Sequence, residues 1–128
     1  MMSFNTGTLE DEYAHVTDHW SPRVIADLNG QSVKVAKVKD QLTWHSHRDE
    51  DELFLIWKGE LTIEYRDRPS VHLKAGDFHV VPRGVEHNPV AAEECWIMLF
   101  EPSETKHTGD VVVEKTKTLD AQRSHLSA

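Results

Sequence analysis

Gly76-Asp77-Phe78-His79-Val80-Val81-Pro82-Arg83-Gly84-Val85-Glu86-His87 is the stretch on which the fold turns. Gly76 closes one turn, Phe78 to Val81 extends, and Pro82-Arg83-Gly84 turns the chain again and aims His87 back at what precedes it. The order Gly-x5-Pro-x-Gly-x2-His arises in a chain of this composition with a chance on the order of 0.001. The spacing therefore carries information. Upstream, Leu53-Phe54-Leu55-Ile56-Trp57 stops at Lys58-Gly59, and Leu61, Ile63 and Tyr65 then alternate with Thr62, Glu64 and Arg66. Val71-His72-Leu73 follows the Arg66-Asp67-Arg68-Pro69 turn, and Glu94 to Phe100 forms a strong later strand. Val24-Ile25 and Val33 to Val38 flank the Asn29-Gly30 turn, and Val111-Val112-Val113 offers one more strand. Short strands punctuated by Gly and Pro predict an antiparallel sandwich or barrel. Ahead of them, Leu9, Tyr13, Val16 and Trp20 recur at helical spacing, so a helix over Thr8–Trp20 is expected, capped by Thr8.

Length and charge narrow the classes. The chain has 128 residues and 38% apolar content, which suits one soluble domain with its own core. The longest apolar run, Leu53 to Trp57, is far short of a membrane span. A net charge of −8 argues against nucleic acid and against an anionic membrane as partners. Met1-Met2-Ser3-Phe4-Asn5 carries no basic-then-apolar leader, and Cys95 has no second cysteine to pair with, so a reducing cytoplasm is expected. The unusual quantity is nine histidines, which points toward metal chemistry if some of them converge.

Trp44-His45-Ser46-His47-Arg48-Asp49-Glu50-Asp51-Glu52 holds the first candidates. On an extended segment His45 and His47 point to one side and can reach one ion. Chance supplies roughly 0.6 such His-x-His pairs at this histidine content, so the pair alone fits two solvated histidines beside an acidic loop equally well. Joined to the Gly76–His87 stretch it gains weight. The two segments resemble the two motifs of the cupin family, the first as His45-x-His47-x4-Glu52-x6-Gly59 and the second as Gly76-x5-Pro82-x-Gly84-x2-His87. The resemblance covers about residues 33 to 100, with Lys39 and Ala91 standing where the family usually has Gly and Asn. Phe100-Glu101-Pro102 followed by Thr108-Gly109-Asp110 is similar to the end of small single-domain cupins labelled mannose-6-phosphate isomerase-like, a label of fold that assigns no function.

The resemblance implies an all-β double-stranded β-helix, a jelly-roll barrel, with a short N-terminal helix. It divides the chain into a lead-in over 1–22, a barrel over 23–116 and a tail over 117–128, polar and frayed from Leu119 onward. It also implies one divalent ion held by His45, His47, Glu52 and His87. Three imidazoles and a carboxylate suit Fe, Mn, Ni, Co, Cu or Zn rather than Ca or Mg. Four protein ligands on a six-coordinate ion leave two positions for water, dioxygen or a bidentate substrate.

Two functions follow. One is a metal-dependent enzyme acting on a small polar molecule, of dioxygenase or isomerase type; the other is a binding or sensing module without turnover. No general acid or base is identified beside the metal. Asp49, Glu50 and Asp51 read as a solvated acidic loop, His79 as a satisfied strand histidine, and Cys95 as a packing residue. His15, His19, His72, His107 and His125 have no partner at ligand spacing and receive no role. If Glu52 faces the metal, Leu53, Leu55 and Trp57 face outward and need cover, so a homodimer is expected.

Overall fold

The chain begins with a helix shorter than its periodicity predicts. In a computed structural model that describes residues 4–109 and 111–126, α1 spans only Leu9–Ala14. Thr8 caps it by accepting from the Asp11 backbone N–H at 3.2 Å, above a first turn of Glu10, Asp11 and Glu12. Val16 and Trp20 are buried as the pattern requires, but not on a helix face. Trp20 takes a left-handed backbone (φ 57°), and its indole donates to the Lys39 carbonyl at 2.7 Å. That side-chain bond gives the chain a way into the barrel that continued helix would deny it.

Seven strands follow: β1 (Arg23–Leu28), β2 (Gln31–Gln41), β3 (Glu52–Lys58), β4 (Glu60–Tyr65), β5 (Val71–Lys74), β6 (Phe78–Val81) and β7 (His87–Pro102). All pairings are antiparallel, in the order β1-β2-β7-β3-β6, with β4 joining β5 to β7. β7 is the spine. Its first residues pair with β4 (Tyr65↔His87 to Thr62↔Val90) and its later ones with β3 (Lys58↔Trp96 to Leu53↔Phe100). β2 follows it along both parts, with an irregularity between Val38 and Asp40 where the sheet bends. This is the jelly-roll barrel expected from the sequence.

Alternation decides what faces in. Phe54, Ile56, Leu61, Ile63, Val81, Cys95, Ile97 and Leu99 form one buried cluster, each aliphatic contributing about 1.5–3 kcal/mol when fully buried. Gly59 makes the β3–β4 turn possible. It has φ 88°, and a Cβ there would lie 2.9 Å from the Glu94 carbonyl oxygen. On the outer surface, register sets Leu53 and Leu55 of β3 beside Phe78 and Val80 of β6 and Met98 and Phe100 of β7. Phe78 is 68% and Val80 43% exposed, so this face is open at its β6 side, while Met98 packs against Tyr13, Val16 and Val35.

The chain after Pro102 departs from expectation twice. Val111-Val112-Val113 forms no strand. Its backbone is satisfied locally, Val111 N–H donating to the Thr108 carbonyl at 3.1 Å and Val113 N–H to Thr116 Oγ1 at 2.9 Å. Threonine turns replace a ladder. From Leu119 onward the tail is not frayed: α2 (Leu119–Arg123) packs Gln122 into full burial, and Arg123 pairs with Asp27 of β1. Met1–Ser3, Asp110 and the last two residues of the expected tail lie outside the described residues. Among the described residues no helix is long and apolar enough to cross a membrane.

Candidate metal centre

Backbone hydrogen bonds bring the two sequence stretches together. His45 and His87 exchange backbone bonds at 3.0 and 2.8 Å, and Gly84 N–H donates to the His47 carbonyl at 2.7 Å. Glu52 opens β3 on its inward face and His87 opens β7. One ligand atom from each of His45, His47, Glu52 and His87 then lies within 4.8 Å of the others, and all four residues are buried. Ring centroids stand 4.4 Å apart for His45–His87, 5.0 Å for His45–His47 and 5.6 Å for His47–His87.

Tautomers are partly fixed. The Nδ1–H of His45 donates to the Thr43 carbonyl at 2.8 Å, and that of His87 to the Val85 carbonyl at 3.0 Å. In the neutral rings both Nε2 atoms then carry lone pairs, the state a metal needs. His87 Nε2, both nitrogens of His47 and Oε1 of Glu52 are buried without a hydrogen-bond partner. Native interiors rarely leave such atoms unpaired, since each costs about 1–3 kcal/mol. Glu52 Oε1 lies 3.3 Å from His47 Nε2 and 3.5 Å from His87 Nε2, without the angles of hydrogen bonds. Neighbouring ligands on an ion with bonds of about 2.1 Å stand about 3 Å apart, so the spacing fits a shared cation. The four residues therefore suit a divalent transition ion by donor type, by spacing and by their unpaired atoms.

Electrostatics agree. Burial, aided by His87, pushes the His45 pKa down to about 4. Burial opposes protonation of His47 as well, but the Glu52 carboxylate outweighs it and the net shift is upward. Burial would raise Glu52, yet His47 and His87 hold it well below the usual carboxylate range. The cluster is a negative charge among imidazoles competing to neutralise it.

A second polar layer lies beside the first. Glu101 of β7 is 1% exposed, and Lys34 of β2, with no exposure, reaches its Oε1 at 3.2 Å. Burial, and then the neighbouring Glu52, raise Glu101 well above the usual carboxylate range. Lys34 Nζ also donates to the Thr105 carbonyl at 3.1 Å and to Gln122 Oε1 at 2.7 Å, which ties the chain after β7 to the barrel interior.

That returning chain brings a residue the sequence reading left without a role. His107, 5% exposed, lines a cavity with His45, Glu52, Trp20, Phe54 and Leu99. Its Nε2 accepts from the Lys117 backbone N–H at 2.6 Å. Gly109 allows the approach: a Cβ there would sit 2.1 Å from the Ser46 carbonyl oxygen, between the two motif histidines. No local spacing signals this, because His107 reaches the site only through tertiary packing.

The remaining candidates resolve as structural. Asp51 accepts from the Arg83 backbone N–H at 2.8 Å, pinning one motif loop to the other. His79 faces inward and bonds the Tyr65 hydroxyl at 2.6 Å, a satisfied histidine as expected. Cys95 is fully buried, its thiol pushed up to about 12 by burial, and is inert packing. His19 pairs with Glu94, His72 with Thr62, and His125 with the Val24 carbonyl. The Arg66 guanidinium stacks on Trp44, 3.7 Å from the ring centre.

Comparison with known proteins agrees with this geometry. An uncharacterised protein of Bacillus subtilis (strain 168), YdbB, is 38% identical over 63 residues, 49% of this chain. The match spans 56% of that relative's length. A crystal structure of a cupin-2 domain-containing protein from Shewanella frigidimarina NCIMB 400 superposes with a TM-score of 0.72 at 45% identity, covering 74% of this chain and 92% of that one. Hydroquinone 1,2-dioxygenase from Sphingomonas sp. TTNP3, with 4-hydroxybenzoate bound, superposes at 0.60 and 20% identity, over 64% of this chain and 27% of its own, a likeness of fold alone. The Cupin domain family matches residues 32–100, just over half of the chain and both motifs. The chain belongs to the cupin family.

Proposed function

We propose that this cupin is a metal-dependent enzyme, with His45, His47, Glu52 and His87 holding one Fe, Mn, Ni, Co, Cu or Zn ion. Its substrate is a small molecule with an oxygen-donor head and an apolar body. The observation that carries this reading is the position of the four buried groups: two of them, His45 and Glu52, sit with His107 in the wall of a cavity otherwise lined by apolar side chains. A divalent transition ion supplies Lewis-acid or dioxygen chemistry when bound. Trp20, Leu42, Phe54, Ile97 and Leu99 keep water from the polar end and meet the body of the substrate. The Thr43 and Val85 carbonyls orient the rings of His45 and His87, and Asp51 holds the two motif loops together.

One observation favours a second reading, a binding or sensing module. The free space in the cavity is about 30 Å³, room for one or two waters, so a larger guest must displace side chains. A single screen separates these readings. Protein reconstituted with Fe(II) or Zn(II) is incubated with pooled diols, catechols and diketones, while oxygen uptake and melting temperature are followed. Uptake with Fe(II) and none with Zn(II) supports the dioxygenase, since zinc has no redox chemistry. Product with either metal and no uptake supports an isomerase. A melting shift without product supports the binding module, and no response at all overturns both small-molecule readings.

A further inference from the structure

His107 is the buried histidine that the metal set does not use. It lies outside the four-residue cluster, yet it lines the same cavity as His45 and Glu52. Its tautomer is set by the backbone. The Lys117 N–H donates to Nε2, so that nitrogen holds a lone pair and the neutral ring carries its proton on Nδ1. Nδ1 has no hydrogen-bond partner among the described residues. Burial lowers the ring's pKa to about 4, which keeps it neutral and the donor in place near pH 7.

The ring is also held firmly. Lys34 anchors the Thr105 carbonyl two residues before it, Gly109 rests on Ser46 two residues after it, and Thr108 Oγ1 donates to the Val111 carbonyl at 2.6 Å. Apart from His45, Glu52 and His107, the cavity walls are apolar. A ligand at the metal centre thus meets one neutral donor from the protein.

We propose that His107 is the ligand-recognition residue of this site: its Nδ1–H donates to an anionic or oxygen-bearing ligand held at the His45/His47/Glu52/His87 centre. This rests on the metal-centre reading above and adds specificity to it. Ligands with an acceptor atom next to the metal-binding atom gain from this bond, and ligands without one do not.

The test uses the full chain loaded with Co(II) and titrated with azide, a three-atom anion that accepts hydrogen bonds, followed in the visible cobalt bands. His107→Phe is expected to bind azide about tenfold more weakly, with cobalt affinity close to wild type and the protein folded at the assay temperature. His107→Asn places an amide N–H near the Nδ1 position and is expected to recover azide affinity to within about threefold. Unchanged azide affinity in His107→Phe would overturn the inference while leaving the metal centre standing. A parallel loss of cobalt in that variant would also overturn it, because the ring would then belong to the metal set. If His107→Phe does not fold, failure of His107→Asn to bind azide better than a ten-fold deficit overturns it as well. Absence of cobalt uptake by the wild type would remove the metal-centre reading and this inference together.

Discussion

Two buried polar clusters lie side by side in this barrel, and they are completed differently. Around Lys34, Nζ donates to the Thr105 carbonyl and to Gln122 Oε1 and stands 3.2 Å from Glu101 Oε1, although neither Glu101 oxygen gains a hydrogen bond. Around Glu52, three imidazoles and a carboxylate converge with four of their atoms unpartnered, and among the described residues no cationic side chain stands at the centre. The first cluster carries its own cation and locks the C-terminal helix onto β2. The second has the donor types and the spacing that fit a divalent cation. One cluster ties the C-terminal helix to the barrel, and the other fits a metal site.

Breaking the first cluster gives the largest expected effect. Lys34→Met leaves the buried Thr105 carbonyl and Gln122 Oε1 without their donor and should destabilise the protein by about 1–3 kcal/mol for each in urea unfolding. Adding Glu101→Leu should recover part of that loss, because the stranded carboxyl goes with it. Equal destabilisation by single and double variants would contradict the picture of a coupled pair.

Acidification separates the buried histidines by sign. His45 and His107 have folded pKa values near 4, below the ordinary imidazole value near 6.5. The unfolded chain then takes up protons that the fold refuses, so their contribution is intact above about pH 6.5 and is lost as pH falls toward 4. Each ring accounts for up to about 3 kcal/mol at the lower limit. His47, raised by Glu52, works in the opposite direction, gaining its proton first and competing with a metal for the same nitrogen. Melting of the metal-free protein should therefore fall between pH 6.5 and 4, and His107→Phe should flatten that fall. Metal affinity should weaken at higher pH than stability does. A melting temperature constant across this window would contradict the burial argument.

How far each cluster is legible in the sequence follows from range. His45, His47, Glu52, Gly59, Gly76, Pro82, Gly84 and His87 lie in two short stretches whose spacing is set by local turns, so both motifs and the barrel were readable there. The short helix was not, because Trp20 leaves the helical path to bond the Lys39 carbonyl, a contact with a strand not adjacent in sequence. Val111–Val113 has strand composition but no partner edge, and Val112 is left 85% exposed. His107 and Gln122 acquire their roles from Lys34 and Ser46, more than sixty residues upstream in each case. Such pairings have no local pattern to read.

The smallest effect on either cluster is expected from the outer face. We propose that Leu53, Leu55 and Trp57, with Phe78, Val80 and Phe100 beside them, meet the same face of a second copy, since an uncharged apolar surface on a chain of net charge −8 is self-complementary. Trp57→Asp should shift the sedimenting species toward the 14.7 kDa monomer at micromolar concentration and leave metal content unchanged. A wild-type monomer under those conditions would contradict this.

The central claim is that the second cluster awaits a cation. Elemental analysis of purified protein beside His47→Ala/His87→Ala tests it most directly. The account predicts one transition-metal ion per chain in the wild type and none in the folded double variant. Stoichiometric metal retained by the double variant, or none in the wild type after exposure to Fe(II), Mn(II), Co(II), Ni(II), Cu(II) and Zn(II), would contradict it.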